Sequence, residues 1–127
     1  MTSDDLLERL IDHAVVAGRI VNELPDDRLG RHVAGQLVRC GTSAAPNYAE
    51  GCAAESKNDF IHKLSIALKE MRETRTWLYF IIKADLLSAE RVHLAHKEAH
   101  ELCRILGASI GTAKGRREKR NDQEGLQ

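Results

Sequence analysis

Four side chains that can bind a metal ion recur along one face of a helix predicted near the end of the chain. His93, His96, His100 and Cys103 follow one another at steps of three, four and three residues, which brings them to one side of an α-helix. Imidazole and thiolate are ligands that zinc prefers, so His96, His100 and Cys103 form a candidate metal site.

A second metal pattern is Glu-x-x-His, which Glu90 and His93 spell and which Asp59 and His62 imitate with the shorter acid. Di-iron sites in helical bundles need two such motifs and further glutamates from the other helices at the same depth. Spacing alone does not show that these groups converge, and a solvated or interfacial histidine face gives the same pattern. We favour that second interpretation and predict no cofactor.

Motifs for covalent catalysis are missing from the sequence. It has no Gly-x-Ser-x-Gly turn and no glycine-rich phosphate loop, and Cys40, Cys52 and Cys103 stand in helical patterns with no obvious base beside them. We therefore predict that the protein is not an enzyme.

The same cysteines bear on the compartment. Their odd number and the absence of Cys-x-x-Cys spacing fit free thiols in a reducing environment. The first ten residues lack the pattern of a signal peptide, and the longest apolar run, residues 77–82, is far shorter than the about 20 residues that span a bilayer. We expect a cytoplasmic protein that does not enter a membrane.

Four amphipathic helices must position these groups. Apolar residues recur at helical spacing through residues 7–24, 29–51, 60–82 and 92–113. Pro25 ends the first helix, Asp26 or Asp27 caps the second, and Ser56 and Ser88 cap the third and fourth. Because the connections are short, the sequence predicts one all-α domain, an antiparallel up-down-up-down four-helix bundle over residues 1–114. Residues 115–127 are predicted to form a disordered charged tail.

Residues 41–51, with the sequence GTSAAPNYAEG, are unusually small and polar for a bundle helix. The structural interpretation is that small residues let the third helix approach, that polar side chains form buried hydrogen bonds, and that the proline kinks the second helix. The functional alternative is a polar groove. The motif residues are Ser43, Pro46, Asn47, Glu50 and Gly51.

Six consecutive apolar residues, 77–82, cover every side of the third helix near its end. A four-helix bundle buries only part of that circumference, so something else should cover the remainder. The sequence therefore predicts an oligomer interface formed by Trp77, Tyr79, Phe80 and Ile81.

Basic residues raise the alternative of RNA or DNA binding through phosphate contacts. The candidates are Arg31, Arg39 and Lys63 in the bundle and Arg116, Arg117, Lys119 and Arg120 in the tail. The formal net charge is zero, so the whole chain lacks the basicity of a dedicated nucleic-acid binder. Ordinary solvated helix faces have the same local composition.

Several blocks of sequence closely resemble one bacterial family. They are LLERL at residues 6–10, GQLVR at 35–39, residues 41–51, ESKNDFIHKL at 55–64 and the segment from Glu101 to Lys114. The chain resembles the four-helix-bundle proteins also called 23S rRNA intervening-sequence proteins.

This resemblance implies an antiparallel bundle that assembles into a ring, commonly a pentamer, and acts as a scaffold without catalysis. Similar accessory proteins of diversity-generating retroelements pair with a reverse transcriptase and contact nucleic acid. Those proteins are basic whereas this chain is neutral. The resemblance therefore supports a homo-oligomer with a protein or nucleic-acid partner more directly than it supports nucleic-acid binding itself.

Overall fold

The structure, a computed structural model, describes the backbone of residues 1–125 and the side chains of residues 1–115. Within that part of the chain, five helical segments are joined by short loops: α1 Ser3–Glu23, α2 Arg28–Gly41, α3 Ala44–Cys52, α4 Lys57–Lys83 and α5 Ala89–Gly125. Segments α2 and α3 are the two halves of the second predicted helix. The predicted all-α four-helix bundle is therefore confirmed.

Neighbouring helices run in opposite directions, because contacts join early residues of one helix to late residues of the next. Such pairs are Arg9–Glu98 and Glu23–Arg91 between α1 and α5, His32–Trp77 and Arg39–Glu70 between α2 and α4, and Arg75–His100 and Tyr79–His96 between α4 and α5. Helix α1 packs against α2, α3 and α5, and α4 packs against the same three segments. The α1–α5 and α2–α4 contacts are thus opposite edges of the bundle.

Side-chain caps fix where the helices begin. Asp27 accepts a hydrogen bond from the backbone N–H of Gly30 at 2.8 Å and starts α2. Ser56 accepts from the N–H of Asp59 at 3.1 Å, and Ser88 accepts from the N–H of Arg91 at 3.2 Å. These caps satisfy backbone donors that have no partner inside the helix. The predicted helix starts at these three positions are correct.

The second helix is interrupted, and the position of the break corrects the prediction of a simple kink at Pro46. The interruption falls at Thr42 and Ser43, between α2 and α3. A proline ring clashes with the carbonyl four residues earlier and cannot donate a hydrogen bond to it, and that carbonyl belongs to Thr42. Pro46 itself lies in the first turn of α3, where no backbone donor is needed.

Two polar side chains of residues 41–51, those of Asn47 and Glu50, bond to nearby residues of the same segment or of the adjacent α4. Asn47 Nδ2 donates to the Ser43 carbonyl at 2.9 Å and to Ser43 Oγ at 3.2 Å. Glu50 forms a salt bridge with Lys63 of α4 at 2.8 Å. A Cβ atom added at Gly51 would lie 2.8 Å from Leu64 Cδ1, so α3 and α4 approach more closely there than a larger residue allows. The absence of a side chain at Gly51 thus lets α3 pack closely against α4.

Helix α5 continues to Gly125, past residue 114, where the sequence pattern of the bundle ends. The side chains of the predicted tail, including Arg116, Arg117, Lys119 and Arg120, lie outside the described residues, and the predicted disorder of residues 115–127 stays a prediction. Among the described helices, none is long and apolar enough to cross a membrane.

Candidate functional site

An aromatic cluster lies at the C-terminal end of α4, on the side that faces α2. The Trp77 ring makes edge contacts with His32 at 5.9 Å and with Phe80 at 5.4 Å between ring centroids. Trp77 Nε1 also donates to Glu73 at 3.3 Å. Trp77 is partly buried, whereas Phe80 remains 37% exposed. The cluster therefore covers one flank of Trp77 and leaves an aromatic ring at the surface.

The four residues predicted as an oligomer interface do not share one environment. Ile81 is fully buried in the core of its own chain, so it has no surface to offer a partner and is removed from the predicted set. Tyr79 faces the other side of α4, where its ring packs on His96 at 5.5 Å. Only Trp77 and Phe80 form a common surface, because a helix turns through about 100° per residue.

The three described basic residues that were predicted to contact phosphates form ion pairs with acids at the surface of the bundle. Arg31 bonds Asp26 at 3.0 Å, and Lys63 bonds Glu50 at 2.8 Å. Arg39 bonds Glu70 at 3.2 Å and also reaches Glu73. Their charges are therefore partly neutralised before any phosphate arrives, which weakens the sequence argument for these three positions.

The predicted metal site is not assembled. Across residues 1–115, no group of three or more histidine, cysteine or acidic side chains is arranged to hold a metal ion. Cys103 is buried in the core, while His100 is exposed. Helical spacing places these residues on one side of α5, but the Cys103 thiol points into the core whereas the His100 ring lies at the surface. The spacing of His96, His100 and Cys103 therefore did not translate into convergence.

A groove between α4 and α5 brings two of these histidines together with Tyr79 and with two residues, Arg75 and Thr76, that the sequence did not point to. Arg75, Thr76, Tyr79, His96 and His100 line a surface cavity of about 450 Å³. Arg75 Nη1 lies 3.3 Å from His100 Nδ1. A guanidinium can only donate, so the ring nitrogen accepts and this imidazole is neutral in that contact. None of the five residues that line the groove carries a carboxylate.

The charged side chains around the groove are basic. Burial lowers the pKa of His96, and the nearby charges of Arg75, His100 and His93 lower it further. Lys83 Nζ lies 5.9 Å from the centre of the Tyr79 ring, a cation–π distance. Arg75 is a permanent cation and the two neighbouring histidines are cations only when protonated, so the positive charge of the groove comes mainly from Arg75 and is offset by no acid among the five lining residues.

Helical geometry explains this excess. Helix α4 has three acidic residues, Asp59, Glu70 and Glu73, and their spacing places all three on the side that faces α2 and α3. Arg72, Arg75, Tyr79 and Lys83 recur at steps of three and four on the opposite side, toward α5. The signal was present in the sequence, but it becomes visible only when the acids and bases of one helix are sorted by face.

A second groove lies on the opposite edge of the bundle, between α1 and α5. It encloses about 210 Å³ and is lined by Asp12, Val16, Leu94, Ala95 and the buried His13, with the Arg9–Glu98 salt bridge at 2.7 Å on its wall. His13 Nε2 lies 2.9 Å from the Ala95 carbonyl oxygen and donates to it. The other ring nitrogen, Nδ1, has no hydrogen-bond partner among the described residues. Leu94 is 74% exposed at the rim.

The cysteines differ in their surroundings. Burial raises the pKa of the Cys40 thiol and of the Cys103 thiol, which disfavours the nucleophilic thiolate at both positions. Cys52 is exposed, and all three cysteines are free. The two buried thiols behave as small core residues in this fold.

Comparisons with known proteins agree with the bundle. A family model described as 23S rRNA-intervening sequence protein matches residues 7–108. The chain is also similar to a crystal structure of a protein with unknown function from the S23 ribosomal protein family, from Bacteroides thetaiotaomicron. The two chains share 30% sequence identity at a TM-score of 0.77, over 83% of this chain and 97% of that one. No match was found among curated proteins.

Proposed function

Because the chain belongs to the family of 23S rRNA-intervening sequence proteins, we propose that it is a non-enzymatic, homo-oligomeric four-helix-bundle scaffold that binds a protein or nucleic-acid partner. The observation that carries the proposal is the half-exposed aromatic cluster at the end of α4, together with the groove between α1 and α5 on the opposite edge of the bundle, where Leu94 is exposed at the rim. A cytoplasmic location is part of the proposal, and the three free thiols are consistent with it.

The first surface is an aromatic patch, defined by Leu29, Trp77 and Phe80. Since α2 and α4 are antiparallel and His32 contacts Trp77, Leu29, one turn before His32, lies toward Phe80. Leu29 is 44% exposed and Phe80 is 37% exposed. Aromatic and aliphatic side chains gathered at a surface are typical of the centre of a protein interface.

The second surface is the α1–α5 groove with Leu94 at its rim. Phe80 lies near the end of α4 and Leu94 near the start of α5, so the two surfaces stand at a similar height along the bundle. They also lie on opposite edges. A contact between two different surfaces of neighbouring copies is head-to-tail, and it closes into a ring when the rotation between copies permits. This arrangement supports a ring whose axis follows the helices, and the family resemblance leads us to expect five subunits.

The measurement is light scattering coupled to size-exclusion chromatography. We expect a single species with about five times the 14.2 kDa mass of one chain. Phe80→Glu and Leu94→Glu should each give monomers, because a carboxylate buried at an interface without a partner is costly. Ile11→Glu is the matched control, since Ile11 is 43% exposed but belongs to neither surface. A wild-type mass near that of one chain at micromolar concentration would contradict the proposal.

Mixing the two disruptive variants tests whether the contact is head-to-tail. In a mixture, Phe80→Glu still offers an intact Leu94 groove and Leu94→Glu still offers an intact Phe80. One sound interface can then form, but a ring cannot close. We expect dimers with one copy of each variant, and a mixture that stays monomeric would contradict the pairing of these two surfaces.

A further inference from the structure

We propose that the groove between α4 and α5 binds a nucleotide, with its phosphate held by Arg75 beside His96 and His100 and its base against the ring of Tyr79. The inference is independent of assembly, because every lining residue belongs to one chain. It also differs from the phosphate contacts expected at Arg31, Arg39 and Lys63, which pair with acids.

Arg75 is the first reason. Five arginines of the described bundle bond to carboxylates: Arg9, Arg31, Arg39, Arg91 and Arg104. Arg75 instead donates to the neutral imidazole of His100 at 3.3 Å, which is longer than a charge-assisted bond. A phosphate oxygen is a stronger and more suitable acceptor for a guanidinium. The geometry thus leaves a cation with a weak partner at the edge of an open cavity.

The remaining lining groups are the second reason. His96 and His100 can each donate from a ring N–H, and the hydroxyls of Thr76 and Tyr79 stand in the same wall. Thr76 Oγ1 is already committed as a donor to the Arg72 carbonyl at 3.0 Å. Donors therefore come chiefly from Arg75, the imidazoles and the Tyr79 hydroxyl, and no carboxylate among the described lining residues repels an anion.

Size and shape select a nucleotide over a bare anion. The cavity of about 450 Å³ falls within the range of sites for small organic ligands, about 300–1,000 Å³, and exceeds what one phosphate ion requires. Tyr79 is 48% exposed and packs on His96, which gives the cavity an aromatic wall. Stacking of a base on an aromatic side chain beside a cationic phosphate site is the mode by which proteins hold nucleotides of a single strand.

The ligand can be a free mononucleotide or one unit of a single strand, and the experiment has an arm for each. Full-length protein is titrated at low salt with inorganic phosphate, with adenosine monophosphate by calorimetry, and with a fluorescent single-stranded oligonucleotide by anisotropy. We expect adenosine monophosphate to bind more tightly than phosphate. A further gain with the oligonucleotide that falls as salt rises identifies the strand as the source, and equal affinity identifies the free nucleotide.

Matched variants locate the site. Arg75→Gln removes the charge and should weaken nucleotide binding about tenfold or more. Arg39 lies on α2, which packs on the opposite side of α4, so Arg39→Gln should leave the affinity unchanged. Tyr79→Leu should reduce the affinity for adenosine monophosphate but not for phosphate. Thermal melting of each variant checks that it is folded.

Three results would overturn the proposal. The first is no binding of any of the three probes by the wild-type protein. The second is equal weakening by Arg75→Gln and Arg39→Gln, which indicates unspecific attraction. The third is binding of phosphate with no gain from the nucleoside. Phe80 lies outside the groove, so Phe80→Glu tests assembly without altering the nucleotide site. A monomeric variant that still binds nucleotide would support this inference without assembly, and an oligomeric wild type that binds none would overturn this inference and leave the proposed assembly standing.

Discussion

The two sides of α4 meet their neighbours in different ways. Toward α2 and α3, acids on α4 receive basic side chains: Arg39 bonds Glu70 and Glu73. Toward α5, the one side-chain hydrogen-bond partner of Arg75 among the described residues is the imidazole of His100. A formal net charge of zero therefore describes neither side. A chain that is neutral overall can thus separate its charges across the width of a single helix.

Packing differs between the two sides as well. Gly51 of α3 lies so close to α4 that an added Cβ would come within 3.2 Å of Lys63 Cβ as well as 2.8 Å of Leu64 Cδ1. On the α5 side, an added Cβ at Gly107 meets no atom of the described residues within 4 Å, and the groove lined by Tyr79, His96 and His100 opens nearer the start of α5. The α3 side of α4 is closed by small residues and ion pairs, whereas the α5 side is packed in the core and leaves a groove at the surface.

The largest effect should come from filling the closed side. Gly51→Val forces methyl groups against the fully buried Leu64, and overpacking of this kind costs about 2 kcal/mol. Gly107→Val places the same side chain in open space and should change stability by less than about 0.5 kcal/mol. Urea unfolding of both variants measures the difference. Equal losses at the two glycines would show that the two sides of α4 are not packed differently.

An intermediate effect should distinguish the two arginines. Arg39→Met removes the partner of Glu70, whose side chain is only 16% exposed, and should cost about 1 kcal/mol of unfolding free energy. Arg75→Met breaks no ion pair among the described residues and should leave stability unchanged within about 0.5 kcal/mol.

Salt provides the control for this pair of variants. The cost of Arg39→Met should shrink in high salt because screening weakens a surface ion pair, and the behaviour of Arg75→Met should not change. If Arg75→Met were the more destabilising of the two, Arg75 would have a structural role, and the argument that its charge is available for a ligand would fail.

The sequence predicted what local signals control. Caps at Asp27, Ser56 and Ser88 act over three residues, and helical periodicity acts within each helix, so the bundle followed from them. The break at Thr42 was misplaced because a proline acts on the carbonyl four residues before it. Counting four residues back from Pro46 would have placed the break at Thr42, whereas the prediction placed the kink at Pro46 itself.

The sites were harder to predict because they depend on how the helices rotate against one another. Arg39 and Glu70 are separated by 31 residues, and nothing local to either shows that they pair. The burial of Ile81 and the separation of Tyr79 from Phe80 likewise depend on which side of α4 meets the core. Arg75 was missed because its position shows only when the acids and bases of α4 are sorted by helix face, and even that sorting does not show whether an arginine has an acidic partner on another helix.

The smallest effect concerns pH and the open side of α4. Burial and the charges of Arg75, His100 and His93 lower the pKa of His96 below its ordinary value of 6.5, and Tyr79 covers part of the same ring. The unfolded state therefore binds more protons, so the contribution of His96 to stability is complete above that value and is lost as pH falls below it. Burial lowers the pKa of His13 in the same way, so both histidines contribute to the acid loss of the wild-type protein.

His96→Gln should remove only the part of this pH dependence that belongs to the groove. Unfolding free energies at about pH 7.5 and about pH 5.5 should differ less in His96→Gln than in the wild type, while His62→Gln, which removes an exposed imidazole near the start of α4, serves as the matched control. A bound anion favours the protonated form of His96, so adenosine monophosphate should reduce the acid loss in the wild type and have a weaker effect in His96→Gln. An acid loss that is identical in all three proteins would assign it to His13 and remove His96 from the contrast between the two sides of α4.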